Sequence, residues 1–205
     1  KYEKRINNIE HVYLKGKTDD LIVMFMGRLP FYGGLSWYTE GEESSYLFLK
    51  DDPYMSTYSS RNYMGLIYLY MKNPKRTVFY GTSMGAVAAI HFGIDAGIAG
   101  IISIDPLPVA FDINLTYQKL CAIPLDTSIE WPQIFLEYSV GVKNNEVAPI
   151  CKKIKNILHF KPVTLSNMPW WSDNHIDFIP SKDMILLTAK YMKEMKSIIK
   201  RQEKN

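Results

Sequence analysis

Cysteine is nearly absent from this chain of 205 residues, with Cys121 and Cys151 the two examples. Their spacing matches neither a metal site nor a disulfide framework, so both read as free thiols in a reducing compartment. Cys151 falls on the apolar side of an expected helix, which favours packing. An excess of charge is also missing. The net charge is +3, and no basic run is interleaved with aromatics, so a nucleic-acid groove is not expected. The lysine-rich stretch from Lys190 to Asn205 reads as the solvated face of a terminal helix rather than a membrane- or polyanion-binding tail. No apolar run reaches the roughly eighteen residues of a membrane span, and no signal peptide is evident, which points to a soluble protein. The chain begins at Lys1 rather than Met, so an address in a preceding segment stays open. No internal repeat or low-complexity segment stands out either.

What is present suits one globular domain over residues 1–205. Hydrophobic residues make up 47% and charged residues 22%, enough apolar material for a sizeable core at this length. Strand-like runs recur at Ile9–Lys15, Leu21–Met26, Tyr46–Lys50, Arg76–Tyr80, Ile98–Ile104, Gln133–Ser139 and Pro162–Leu165. Several are continuously apolar, as in strands buried on both faces of a parallel sheet. Helical patterns fall between them at Asn62–Lys72, Met84–Ala96 and Asn145–Leu158. A last helix, Ser181–Ile199, carries Met184, Leu187, Tyr191, Met195 and Ile198 on one stripe. This alternation predicts an α/β fold, a mostly parallel sheet with helices on both faces. Ile9–Lys15 and Leu21–Met26, joined across Gly16–Asp20, suggest an antiparallel edge pair. Residues 106–130 lack a clear period and read as a short lid or insert, so the lid is small or absent.

One pentapeptide carries the chemistry. Gly81-Thr82-Ser83-Met84-Gly85 joins the run Arg76–Tyr80 to an Ala-rich helix, which is the strand–turn–helix setting of a nucleophile elbow. Side chains two residues either side of Ser83 would collide across so tight a turn, so glycine occupies both positions. The hydroxyl is then presented at the positive end of the following helix. The alternative reading is an ordinary strand–helix turn with a bystander serine.

A serine hydroxyl needs a base. His11 lies in an edge strand, His91 inside the helix after the elbow, and His159 just before a strand; all three read as structural or surface residues. His175 lies on a loop before the final helix, in the chain order that places a base after the nucleophile. The alternative is a loop histidine bonded to Asp173 or Asp177. The acid is less defined. After Gln133–Ser139 the sequence reads Gly141-Val142-Lys143-Asn144-Asn145-Glu146, with an asparagine where an aspartate is usual and Glu146 nearby. Asp105, at the end of the strand after the elbow helix, stands level with Glu146 as candidate, with Glu137, Asp173 or no acid at all behind them. For an oxyanion hole, one donor is the Met84 amide. The second comes from Gly27-Arg28-Leu29-Pro30, with the Arg28 N–H preferred and Gly27 second.

These pieces resemble the α/β-hydrolase superfamily over nearly the whole chain, with Leu21–Pro30 as oxyanion strand and loop, Gly81–Gly85 as elbow, and Asn174-His175 before the final helix. The chain is also similar to bacterial capsular-polysaccharide O-acetyltransferases of this fold, which carry an edge hairpin, a Pro-containing oxyanion loop and a Gly-[Ser/Thr]-Ser-x-Gly elbow. It departs from them at the acid loop, where they place Gly-x-Asp.

The resemblance implies serine-dependent acyl transfer, by an O-acetyltransferase or an esterase or deacetylase acting on a glycan. No bound cofactor or metal is expected, acetyl-CoA being the acyl donor a transferase would use. The partners would be a small-molecule acyl donor or ester and a polysaccharide, with no nucleic acid and no transmembrane segment. The expected location is cytoplasmic, with the inner membrane face as a variant. Trp37, Trp131, Trp170 and Trp171 suit stacking on sugar rings, and suit core or lid packing equally. Two other readings remain open: a small-ester or thioester hydrolase, and a non-catalytic protein of this fold that binds a glycan or partner. The asparagine at the usual acid position favours the last.

Overall fold

The computed structural model describes residues 3–25, 32, 35, 42–50, 62–104, 106, 133–139, 163–168 and 181–202. Among these, eight strands form one sheet: β1 Glu3–Ile6, β2 Ile9–Leu14, β3 Leu21–Phe25, β4 Ser45–Leu49, β5 Thr77–Thr82, β6 Gly100–Ile104, β7 Gln133–Ser139 and β8 Val163–Met168. Their order across the sheet is β1-β2-β4-β3-β5-β6-β7-β8. The strands from β4 to β8 in this order run parallel, whereas β1 pairs antiparallel with β2 and β2 antiparallel with β4.

The apolar runs explain the layering. Every residue of β3 is buried, and alternate residues serve different cores. Leu21, Val23 and Phe25 join Leu47, Phe79 and Ile101 beneath α1 (Tyr63–Tyr70) and α2 (Met84–Ala96). Ile22 and Met24 join Tyr46, Phe48, Tyr80 and Ile102 beneath α3 (Ser181–Gln202), which contributes Tyr191, Met195 and Ile198. Burying one such side chain is worth about 1.5–3 kcal/mol, so a strand apolar on both sides belongs in the centre with helices covering both faces. The α/β expectation holds. Helix α2 has the expected bounds and α3 runs slightly longer; Tyr191, Met195 and Ile198 of the expected stripe are buried, and Ile199 beside them is buried as well. The expected helix Asn145–Leu158 and nearly all of the insert 106–130 lie outside the described residues.

The edge pair differs from the sequence expectation. Ile9–Lys15 and Leu21–Met26 are not partners, because β4 lies between them. Fully buried β3 needs a neighbour on each side and finds β4 and β5. The hairpin is instead β1–β2, turned by Asn7 and Asn8 at φ +50° and +61°. Positive φ at both central residues marks the tight two-residue turn that follows strand twist, and asparagine tolerates it. Strand β1 escaped sequence reading because Glu3, Lys4 and Arg5 are exposed and polar. The segment 16–20 crosses the start of β4. Thr18 donates its amide to the Glu43 carbonyl at 2.9 Å, and Ser45 donates to the Asp20 carbonyl at 2.8 Å.

Candidate active site

Strand β5 runs through Gly81 and Thr82 directly into Ser83, and α2 begins at the next residue. Gly81 lies between Phe25 of β3 and Ser103 of β6. A Cβ on Gly81 would overlap the Gly85 carbonyl and come within 2.7 Å of the Ala86 nitrogen. The first turn of α2 therefore packs onto β5 only because residue 81 has no side chain. Ser83 pays for that sharp turn with φ +56° and ψ −121°, a backbone region costly for any residue with a Cβ.

Backbone hydrogen bonds to β6 and to α2 hold the strained residue. Its N–H donates to the Ile104 carbonyl at 2.9 Å, and its carbonyl accepts the Ala86 N–H at 3.1 Å. The Ser83 side chain makes no capping bond to α2, and the residue is 7% exposed. Its hydroxyl thus stands at a helix N-terminus without serving as the cap. Around it are first-turn amides, Met84 included, that have no acceptor within the helix and lie at the positive end of its dipole. A nucleophile and one anion-stabilising donor can both be supplied by this turn.

The parallel strands end at a common edge. Phe25 is level with Gly81, Thr82 with Ile104, Ile104 with Glu137, and Ser139 with Met168. The backbone of Glu137 is therefore one strand from Ile104, within β7. Gly27, Arg28, Asp105, Glu146, Asp173 and His175 lie outside the described residues, as do Trp37, Trp131, Trp170 and Trp171. By sequence, the segments carrying Gly27–Arg28, Asp105, Glu146 and His175 follow the C-terminal ends of β3, β6, β7 and β8 respectively. A cavity of about 240 Å³ lined by Tyr13, Lys15, Tyr70 and Lys72 is at the other edge, beside the start of β3.

His11 is fully buried; its Nδ1 lies 3.2 Å from the Ile9 carbonyl and its Nε2 2.8 Å from the Tyr70 hydroxyl. Burial holds its pKa below the ordinary 6.5, with the Ile9 carbonyl acting in the opposite direction. It binds β2 to α1, a structural role as the sequence suggested. His91 lies mid-way along α2 with its ring edge-on to Phe92 at 5.4 Å. His159 lies outside the described residues, as do both cysteines. Two β6 contributions were not anticipated: the Ile104 carbonyl that holds the Ser83 amide, and Ser103. The only sequence signal was a single hydroxyl in an isoleucine-rich strand.

No protein-family model matches the chain, and no curated protein does. Solved structures do match. The capsule O-acetyltransferase of Neisseria meningitidis serogroup A superposes with a TM-score of 0.66, at 18% identity over 97% of this chain and 93% of that one. S-formylglutathione hydrolase (FrmB) of Staphylococcus aureus gives 0.57, at 12% identity over 95% and 90%. FphF, a fluorophosphonate-binding serine hydrolase of the same organism, gives 0.61, at 10% identity over 96% of each. The chain has the α/β-hydrolase fold, and the strand order, the parallel core and the position of Ser83 between β5 and α2 are the features that express it. Among the described residues no helix is long and apolar enough to cross a membrane.

Proposed function

We propose that the protein transfers acyl groups through an acyl-Ser83 intermediate, with a glycan hydroxyl as the preferred acceptor. The observation that carries this reading is the backbone of Ser83, a buried non-glycine residue at φ +56° between a parallel strand and a helix N-terminus. Strain of that kind persists where function requires it.

In the first half-reaction His175 takes the Ser83 proton as Oγ attacks the acyl carbonyl. The Met84 amide and the Arg28 amide, or Gly27 in its place, hold the oxyanion. Collapse of the tetrahedral species expels the leaving group, which receives the proton from His175. In the second half His175 deprotonates the acceptor hydroxyl as it attacks the acyl carbon, and on collapse returns that proton to the departing Ser83 Oγ, which frees the acylated acceptor and restores the serine. Chain reach supports His175. Strand β8 is three strands from β5, about 14 Å at the usual spacing, while the seven residues from Met168 to His175 extend to about 23 Å. Chain reach likewise admits both Asp105 and Glu146 as the carboxylate partner, since they follow β6 and β7, one and two strands from β5.

The likeness to a capsule O-acetyltransferase supports a sugar acceptor, and acetyl-CoA is the donor proposed for such a transfer. The likeness to FrmB and FphF supports the second reading, in which water replaces the sugar and the protein is an esterase, deacetylase or thioesterase. Fluorophosphonate labelling tests the shared step: the protein should label and Ser83→Ala should not. An unlabelled protein, under conditions where a known serine hydrolase reacts, refutes acyl-enzyme chemistry and leaves a binding protein. Acetyl-CoA supplied with and without oligosaccharide then separates the two acceptors. Acetylated glycan detected by mass supports transfer, whereas acetate release from acetylated sugars with no use of acetyl-CoA supports hydrolysis.

A further inference from the structure

We infer that Ser103 is a positioning residue for the oxyanion site, acting on the Met84 amide through the first turn of α2. The inference rests on the acyl-Ser83 reading and adds a residue to it. Ser103 is fully buried in a strand whose other side chains are Ile101, Ile102 and Ile104, after Gly100. A hydroxyl in such a place is costly unless it is bonded. It donates to the Ala86 carbonyl at 3.2 Å. That carbonyl lies within a helix, and its second lone pair leaves room for a side-chain donor beside the helical bond.

The bond closes a circuit around the nucleophile. Ser103 donates to the carbonyl of Ala86, Ala86 donates its N–H to the carbonyl of Ser83, and Ser83 donates its N–H to the carbonyl of Ile104. The circuit thus begins and ends on adjacent residues of β6. Inside it lies the peptide group joining Ser83 to Met84. A trans peptide is planar, with its C=O and N–H pointing in opposite directions. Whatever orients the Ser83 carbonyl therefore orients the Met84 N–H as well, the donor expected to meet the oxyanion. Gly81, level with Ser103 on the neighbouring strand, brings the turn close enough for the circuit to close.

Oxyanion geometry contributes to the transition state more than to substrate binding, and this separates positioning from mere packing. Ser103→Ala should lower kcat and the fluorophosphonate inactivation rate by about 3- to 10-fold, the loss expected for one intramolecular hydrogen bond. Affinity for a boronic acid, which forms a tetrahedral adduct on the serine, should fall in step while KM stays within about twofold. Ser103→Thr, which keeps the hydroxyl, should recover most of the loss. All rates are measured well below the melting temperature of each variant. If Ser103→Ala melts lower but labels, turns over and binds boronate like the parent, the hydroxyl only stabilises the fold and the inference is wrong. If the unaltered protein does not label at all, the acyl-Ser83 reading falls first and takes this inference with it.

Discussion

Replacing Ser83 by glycine removes the Cβ that makes φ +56°, ψ −121° unfavourable, and the elbow should then relax energetically without moving. Strain at such a residue is worth about 1–3 kcal/mol. Glycine gives back about 0.5–1 kcal/mol through the greater freedom of the unfolded chain. The net expectation is a stabilisation of about 0.5–2 kcal/mol, and for a domain of this size each kcal/mol moves the melting temperature by about 2–4 °C. Ser83→Ala is the control. It removes the hydroxyl but keeps the Cβ, so the backbone penalty stays. Melting curves of the three proteins in one buffer at neutral pH should place Ser83→Gly about 1–8 °C above Ser83→Ala, with both variants failing to label with a fluorophosphonate. A glycine variant that melts with or below the alanine variant would show that no strain is stored at the elbow. The Ser83 backbone would then no longer point to a catalytic role.

Gly81→Ala tests the opposite sign: its Cβ meets the Gly85 carbonyl, backbone that can yield only by lifting the first turn of α2. A loss of about 1–3 kcal/mol, with labelling reduced, is expected from chemical denaturation and activity assays; a neutral effect would refute the close approach. His11 predicts a pH effect. Its folded pKa lies below the unfolded 6.5, so the unfolded chain takes up the proton first and stability present above about pH 6.5 is lost as pH falls. Melting temperature should decline from pH 7 to pH 5, and His11→Gln should flatten that decline; an unchanged slope in the variant would exclude His11 as its source. For the acid, Asp105→Asn or Glu146→Gln should lower turnover by about 10⁴-fold, as loss of a triad carboxylate does, with melting temperature as the control for folding. Near-normal rates in both would eliminate both.

The elbow was legible because every signal it uses is local. Strand run, paired glycines, serine and Ala-rich helix occupy one continuous stretch, and the structure reproduces that order, with α2 at its expected bounds. The continuously apolar strands were legible for a similar reason: burial on both faces writes itself into each residue of Leu21–Phe25. Sheet neighbours were not legible. Ile9–Lys15 and Leu21–Met26 stand next to each other in the chain and pass for a hairpin, yet β4 separates them.

The chain alone thus determined the α/β class, the strand-to-helix turn at Ser83 and the face that α3 buries, since each follows from propensity and periodicity within a few turns of sequence. Only the tertiary structure decided that β3 sits between β4 and β5, that Asn7-Asn8 closes the edge hairpin, and that Ile104 and Ser103 hold the elbow from the next strand. These depend on pairing between segments far apart in the chain, where competing partners of similar apolar character are separated by three-dimensional packing and by the bonds that closure leaves satisfied. No local pattern records which of them wins.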